Sequence, residues 1–355
     1  MNIPDKLKVI QPLSEGNFGK VILYENTYLS NRKEAVKIIT TKGKEEKDRA
    51  KALNNNLFEA SILEYLRQSP YIVKIYDAEF LTNGFRINME YLKNGSVQCL
   101  LNKKSFLGTT QILKISECVL HALEYAHNKH IFHLDVKPGN ILIENNNIYK
   151  LSDFGLASVK DENGKASFDE IYTKHIPPER LSEEQIKATE QSDIYMFGIT
   201  IYRLLNGDSY IAEQWENFNK KGILKDSIIS GKLPNRKKYL PHVPNKLKRI
   251  VNKCLNIDLQ KRYKSIREVR NDFNKISIKY DWIYKDITDK KYCWECLVEN
   301  HIYLELFGEK KGDLWNLFLY KYGKTKKTKV AKYCHKNLTK VDFYKILIDV
   351  FDEYF

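Results

Sequence analysis

Two carboxylates, a lysine and an amide side chain fall on tight polar turns in Ile131-Phe132-His133-Leu134-Asp135-Val136-Lys137-Pro138-Gly139-Asn140-Ile141-Leu142 and Lys150-Leu151-Ser152-Asp153-Phe154-Gly155. Short apolar strands flank both turns, and propensity alone does not explain the residue choices. Such a set suits an anion bridged by hard cations. Oxygen ligands such as Asp153 and Asn140 hold Mg²⁺ well while leaving positions for water and phosphate. Asp135 can orient a hydroxyl nucleophile and take its proton, and Lys137 can neutralise a phosphoryl group in transfer.

Two upstream segments fit the same chemistry. Ser14-Glu15-Gly16-Asn17-Phe18-Gly19-Lys20-Val21 lies between two strand candidates. A hairpin tip with little side-chain bulk can lower its backbone N–H groups onto a triphosphate. Glycines also serve ordinary hairpin turns, so this segment alone decides nothing. Ala35-Val36-Lys37-Ile38 sets a lysine inside an apolar strand. A half-buried lysine needs an anionic partner to offset its desolvation. Glu59, on the inner side of the following helix, is the natural partner, with phosphate oxygens sharing the ammonium. A solvated lysine on an edge strand is the competing reading.

The elements that must position these groups divide in two. Residues 7–40 read as alternating strands broken by the glycine turn, and residues 42–56 as an exposed, charged, Asn-rich stretch. Phe58, Ile62, Leu63 and Leu66 recur at helical spacing, and Pro70 ends that helix. Ile72–Tyr76 and Phe85–Met89 are short strand candidates either side of the turn signal Asn83-Gly84. After Asn94-Gly95 the pattern is mainly helical, with apolar periodicity over Thr110–Asn128, Asp193–Leu205 and Asn245–Leu255. The expectation is a small strand-rich unit with one helix, followed by a larger, mostly helical one.

At 355 residues the chain exceeds what a single core organises, which agrees with a two-lobed fold carrying an appendage. No secretory apolar stretch follows Met1, and no run reaches the ~18 apolar residues of a membrane span. Six scattered cysteines suit reduced thiols, so the expected address is cytoplasmic, with the nucleus as an alternative. Residues 281–355 hold 14 Lys against 12 Asp and Glu, so nearly all of the net +14 belongs to residues 1–280. A broadly basic surface that attracts anionic nucleotides or acidic protein segments accounts for it.

Taken in order, these residues resemble the eukaryotic-type protein kinase family over about residues 7–275. The glycine loop, strand lysine, helix glutamate, His-x-Asp loop with Lys and Asn, and Asp-Phe-Gly all occur in family sequence. The resemblance implies an α+β, bilobal fold: a small antiparallel β-sheet N-lobe with one helix over about 1–90, a larger helical C-lobe over about 95–280, and a C-terminal helical extension. It implies an ATP- and Mg²⁺-dependent enzyme that phosphorylates Ser/Thr hydroxyls of protein substrates and also itself. Asp135, Lys137 and Lys37 become the catalytic set, and Asn140 and Asp153 the metal ligands. The ATP-contacting set becomes Ser14, Glu15, Gly16, Asn17, Phe18, Gly19, Lys20, Val21, Ala35, Lys37, Glu59, Met89, Glu90, Leu92 and Leu142. Met89-Glu90-Tyr91-Leu92 corresponds to the adenine-binding hinge, with Met89 as gatekeeper. Pro177-Pro178-Glu179 corresponds to the end of the activation segment, with Arg262 as the partner of Glu179. An apolar stack of Leu63, Ile75, His133 and Phe154 anchored on Asp193 is implied too.

Departures from the family pattern carry their own expectations. Ser14 replaces the first loop glycine. Leu134 stands where many kinases have arginine, so activity is expected without activation-segment phosphorylation at Ser167, Tyr172 or Thr173. Tyr172, rather than Thr173, sits where a family threonine contacts the catalytic loop. The His-Leu-Asp-Val-Lys-Pro wording is also similar to inhibitory cell-cycle kinases of the Wee/Myt type. Three other readings stay open: dual specificity, a catalytically dead scaffold, and a small-molecule phosphotransferase on a related fold. The scaffold reading is opposed by the presence of Lys37, Asp135 and Asp153.

Residues 281–355 have no counterpart in the minimal fold. Leu314–Tyr322 and Val341–Tyr354 show helical spacing, which predicts a helical appendage and a surface for a regulatory partner. Cys293-Trp294-Glu295-Cys296 with His301, Cys334 and His335 supplies possible zinc ligands, against the alternative of cysteines buried on a helix. Eight lysines and no acid lie between Lys321 and Lys340, which fits a solvated face or, alternatively, nucleic acid or anionic lipid.

Overall fold

Alternating residues over the first forty positions build three antiparallel strands, β1 (Leu7–Gly16), β2 (Gly19–Asn26) and β3 (Arg32–Thr40). They come from a computed structural model that describes residues 7–16, 19–40, 46–82, 84–104, 106–145, 147–159, 175–181, 187–288, 290–298, 301–323 and 326–354. Gly16 and Gly19 are paired at the end of the β1–β2 hairpin. Gly19 has φ +120°, and an added Cβ would lie 2.6 Å from the Ile38 carbonyl oxygen, so no other residue fits there.

Helix α1 (Glu46–Tyr65) follows, then β4 (Ile75–Leu81) and β5 (Gly84–Glu90). The five strands form one antiparallel sheet in the order β1-β2-β3-β5-β4. Two expectations shift here. The helix begins inside the charged, Asn-rich stretch expected to be exposed, and Phe58 is exposed while Asn56, Glu59, Ala60, Ile62, Leu63 and Leu66 form the buried face. The first strand of the second pair starts at Ile75 rather than Ile72, which instead makes an isolated bridge to Leu151.

The chain continues through α2 (Val97–Lys104), α3 (Thr109–Asn128), β6 (Ile131–Phe132), β7 (Ile141–Ile143), β8 (Tyr149–Leu151), β9 (Ser158–Val159), α4 (Pro178–Leu181) and α5 (Glu190–Asn206). Then come α6 (Asp208–Lys220), α7 (Leu224–Ile229), α8 (Asn245–Cys254) and α9 (Ile266–Phe273). A small sheet lobe with one helix and a larger helical lobe make this the expected bilobal α+β kinase fold. By compactness the chain divides into residues 1–98, 118–176 and 186–196, and residues 99–117, 177–185 and 197–355. The turns after β6 and β8 therefore share the first unit with the sheet.

The C-terminal region holds the expected helix, α10 (Lys340–Glu353), but most of it is sheet. Strands β10 (Asp281–Thr288), β11 (Lys291–Val298), β12 (His301–Lys311), β13 (Leu314–Tyr322) and β14 (Lys327–Lys329) run in that order, and β15 (His335–Leu338) pairs with β13. Leu314–Tyr322 is thus a strand and not a helix. Trp315, Leu317 and Leu319 alternate into a core shared with Trp282, Trp294, Phe343, Leu347 and Phe351. Cys293 and Cys296 sit on β11 rather than a helix, and residues three apart on a strand point to opposite faces. Among the described residues no group of three or more His, Cys, Asp or Glu is placed to hold a metal ion.

This sheet is joined to the helices of the second unit. Asp281 Oδ1 accepts from the Thr110 N–H at 3.1 Å, at the start of α3. Trp294 Nε1 donates to His242 Nδ1 at 3.2 Å, and burial holds His242 neutral by driving its pKa down to about 3. Among the described residues no helix is long and apolar enough to cross a membrane. None of the six cysteines is joined in a disulfide.

Candidate active site

Lys37 lies on the central strand β3, paired with Val21 of β2 on one side and Ile87 of β5 on the other. Its side chain is 7% exposed, so its charge must be met by neighbours. Nζ donates to Glu59 Oε1 at 2.9 Å and Oε2 at 2.7 Å, and to Asp153 Oδ1 at 3.0 Å. Burial alone would discharge the ammonium, but Glu59 and Asp153 outweigh it and raise its pKa. For Asp153, burial works toward the neutral acid, and Lys37 overcomes it to hold the carboxylate ionised. Gly155 packs against this trio: an added Cβ would lie 3.2 Å from Asp153 Oδ1, 3.3 Å from Glu59 Oε2 and 3.6 Å from Lys37 Nζ.

The second turn is held from beneath by Asp193 on α5. Its Oδ1 accepts from the Leu134 N–H at 2.7 Å and its Oδ2 from the His133 N–H at 2.8 Å. Leu134 is buried with φ +61°, a left-handed conformation costing about 1–2 kcal/mol, and Asp193 holds it there. His133 Nδ1 accepts from the Asp135 N–H at 3.1 Å, which leaves the proton on Nε2 to donate to the Ser152 carbonyl at 3.1 Å. Burial lowers the His133 pKa, so the ring is neutral and structural. It meets Phe154 edge-on, with centroids 4.5 Å apart.

Asp135 is 2% exposed. Its Oδ2 accepts from Lys137 Nζ at 2.6 Å and from Asn140 Nδ2 at 2.8 Å, and its backbone carbonyl takes the other Asn140 proton at 2.9 Å. Its Oδ1 is buried without a hydrogen-bond partner. Burial pushes the carboxyl pKa up, against the pull of Lys137. Because Asn140 directs its amide nitrogen at Asp135, its amide oxygen is the end left for a cation. With the Asp153 carboxylate this is a hard-oxygen donor set of the kind Mg²⁺ takes.

The fold and these turns agree with a sequence comparison. A family model described as the protein kinase domain matches residues 7–273. The chain belongs to the protein kinase family. Similar curated proteins include the probable serine/threonine-protein kinase PknB of Lactococcus lactis, 27% identical over 277 residues, covering 76% of this chain and 41% of that protein. Serine/threonine-protein kinase PrkC of Bacillus subtilis is 26% identical over 276 residues, 76% of this chain and 40% of that protein. Serine/threonine-protein kinase greatwall of Xenopus laevis is 34% identical over 159 residues, 44% of this chain and 17% of that protein. The kinase domain thus matches only about two fifths of the length of the bacterial relatives.

Of the expected nucleotide contacts, Asn17 and Phe18 lie outside the described residues, as do Ser167, Tyr172 and Thr173. Ser14, Glu15, Gly16, Gly19, Lys20 and Val21 lie along the β1–β2 hairpin, where Ser14 pairs with Val21 and Glu15 with Lys20. Ala35 is the partner of Met89 across β3 and β5. Glu90 ends β5, Leu92 follows it, and Leu142 lies on β7 opposite Lys150. In the second unit Arg262 grips Glu179 by both oxygens, at 2.8 and 3.0 Å.

Lys150 and His127 are buried ionic residues that were not anticipated. Lys150 bonds Glu90, and His127 bonds Asp193 Oδ2 at 2.7 Å while lying 3.3 Å from Glu190 Oε1. Burial opposes the imidazolium, but Asp193 and then Glu190 overcome it and raise the His127 pKa to about 9. A pKa raised above its unfolded value near 6.5 adds stability that is complete below that pH and vanishes as pH rises through about 9. The stability difference between wild type and His127→Gln, from urea unfolding, should therefore shrink by on the order of 3 kcal/mol between pH 6 and pH 10. A pH-independent difference would show that His127 is neutral in the fold.

Proposed function

We propose that this chain is an active protein kinase that transfers the γ-phosphate of ATP to serine or threonine hydroxyls of protein substrates. The observation that carries the reading is a buried carboxylate, Asp135, with one oxygen held by Lys137 and Asn140 and the other unpartnered, in the same unit as the Lys37–Glu59–Asp153 trio. In this reading the unpartnered oxygen accepts the substrate hydroxyl proton, and Lys137 neutralises charge on the phosphoryl group in transfer. Lys37, held by Glu59, binds the α- and β-phosphates. The β1–β2 hairpin covers the phosphates, and Met89 to Leu92 receive adenine between apolar side chains such as Val21, Ala35 and Leu142. Asp153 and Asn140 would hold Mg²⁺, which when bound offsets the charge of the phosphates. The kinase domain runs to about residue 280, and a reducing, cytoplasmic setting suits cysteines that form no disulfide.

The test is to incubate phosphatase-treated protein from bacteria with γ-labelled ATP and a generic protein substrate, then separate the phosphoamino acids. Phosphoserine and phosphothreonine are expected, without prior phosphorylation of the chain, because Leu134 offers no cation to an activation-segment phosphate. Phosphotyrosine alone would overturn the specificity, and no labelled protein would overturn the activity.

A further inference from the structure

A second lysine is buried where the catalytic reading leaves it unused. Lys150, at the centre of β8, is 3% exposed, and an ammonium so placed has to be met by carboxylates. Its Nζ donates to both oxygens of Glu90, at 2.9 Å to Oε1 and 2.8 Å to Oε2, and lies 3.2 Å from Glu144 Oε1. Glu90 is the last residue of β5 and is held by the backbone of Lys74 as well. Its Oε1 accepts from the Lys74 N–H at 2.8 Å, and its own N–H donates to the Lys74 carbonyl at 3.0 Å. A few residues on, the same hairpin takes the chain again: Asn94 Nδ2 donates to the Glu144 carbonyl at 2.9 Å, and Ile143 N–H to the Gly95 carbonyl at 2.9 Å. The stretch from Glu90 to Gly95 is therefore pinned at both ends to β7 and β8, and at its first end the pin is one buried ion pair.

We infer that Lys150 is a positioning residue for the nucleotide base, clamping Glu90 so that the backbone from Glu90 to Leu92 meets adenine in a fixed register. This rests on the proposed kinase reading, in which that backbone reads the base. Lys37 then serves the phosphate end of the nucleotide and Lys150 the purine end, although Lys150 touches no part of it. The consequence is a specificity one. Adenine and guanine present opposite donor and acceptor patterns at the purine 6-position and N1, so discrimination depends on where the strand end sits.

The experiment measures kcat and KM for ATP and for GTP, with melting temperatures, in wild type, Lys150→Met, Lys150→Arg and Glu90→Gln. Lys150→Met is expected to raise KM for ATP about tenfold, with the loss carried by KM rather than kcat, and to narrow the ATP-over-GTP ratio. Lys150→Arg should restore both within about threefold, since a guanidinium fork also takes a carboxylate by two bonds. Glu90→Gln should repeat the Lys150→Met pattern with a milder change to the fold. A lower melting temperature with unchanged KM and unchanged nucleotide ratio would overturn the clamp, as would a change in kcat alone. Should wild type transfer no phosphate, the activity reading fails by itself, and calorimetric ATP and GTP affinities of the same variants decide the clamp.

Discussion

Asp135→Asn is expected to lower kcat by about 10²- to 10⁴-fold, the usual worth of a positioned general base, while ATP affinity stays within a few-fold. The size of the loss follows from the way the site forces an amide to orient. Lys137 Nζ and Asn140 Nδ2 are both donors and both face Oδ2, at 2.6 and 2.8 Å. An asparagine must therefore turn its oxygen to them, which places its NH₂ where Oδ1 now lies, buried and unpartnered. A substrate hydroxyl would then meet a donor where it needs an acceptor. The fold should be little changed, because the two bonds to Oδ2 survive. The wild-type acid limb adds a second readout. Burial raises the Asp135 pKa, and a base works only when deprotonated, so kcat/KM should fall with decreasing pH at values above the ordinary aspartate range. Single-turnover assays at saturating ATP check both. Retention of a tenth or more of the wild-type kcat, or an acid limb at an unperturbed aspartate pKa, would remove Asp135 from the role of base.

What the sequence made legible about this site divides by the range of the forces involved. Lys37, Asp135, Asn140 and Asp153 stood out because charged or amide groups among apolar strand residues must be met by partners, and that constraint is local to a few positions. The Lys37–Glu59 pair followed from one further step, a helix with a carboxylate on its inner face. The same argument applied to Lys150 between Tyr149 and Leu151, but its partners Glu90 and Glu144 are not marked by any local pattern. His127 was equally hidden, because a lone histidine at the end of a helix reads as surface until Asp193 and Glu190 arrive from a distant helix. Phe58 misled for the opposite reason: an aromatic at helical spacing fits the buried stripe, but Glu59, Ile62 and Leu63 centre the inward face about a quarter of a turn away. In Leu314–Tyr322 apolar residues occupy most positions, so neither period dominates. Pairing with β12 and β15 decides for strand. The link from Asp281 to Thr110 spans most of the helical lobe in sequence and leaves no trace in either segment.

Breaking the Arg262–Glu179 pair from one side should cost about 3–5 kcal/mol, among the largest single-residue effects on stability in the chain. Arg262 is 1% exposed, and besides its two bonds to Glu179 its Nε donates to the Asn256 carbonyl at 2.8 Å. Arg262→Ala takes from the buried Glu179 carboxylate the guanidinium that holds both of its oxygens. Glu179→Ala leaves a buried guanidinium without the carboxylate that takes two of its bonds. Removing both charges together is different, because an apolar pair of similar volume avoids two desolvation penalties that the ion pair has to overcome. The double variant Glu179→Leu, Arg262→Met should therefore regain most of the stability that either single change loses. Urea unfolding of the four proteins gives the coupling directly. Glu179 sits in the four-residue helix α4, directly after Pro177 and Pro178, so kinase activity in the double variant separates two roles. Regained stability with activity still lost means that the pair fixes the segment's geometry, and recovery of both means that it only holds the fold. Single variants costing less than about 1 kcal/mol would show that the pair is solvated and that neither role applies.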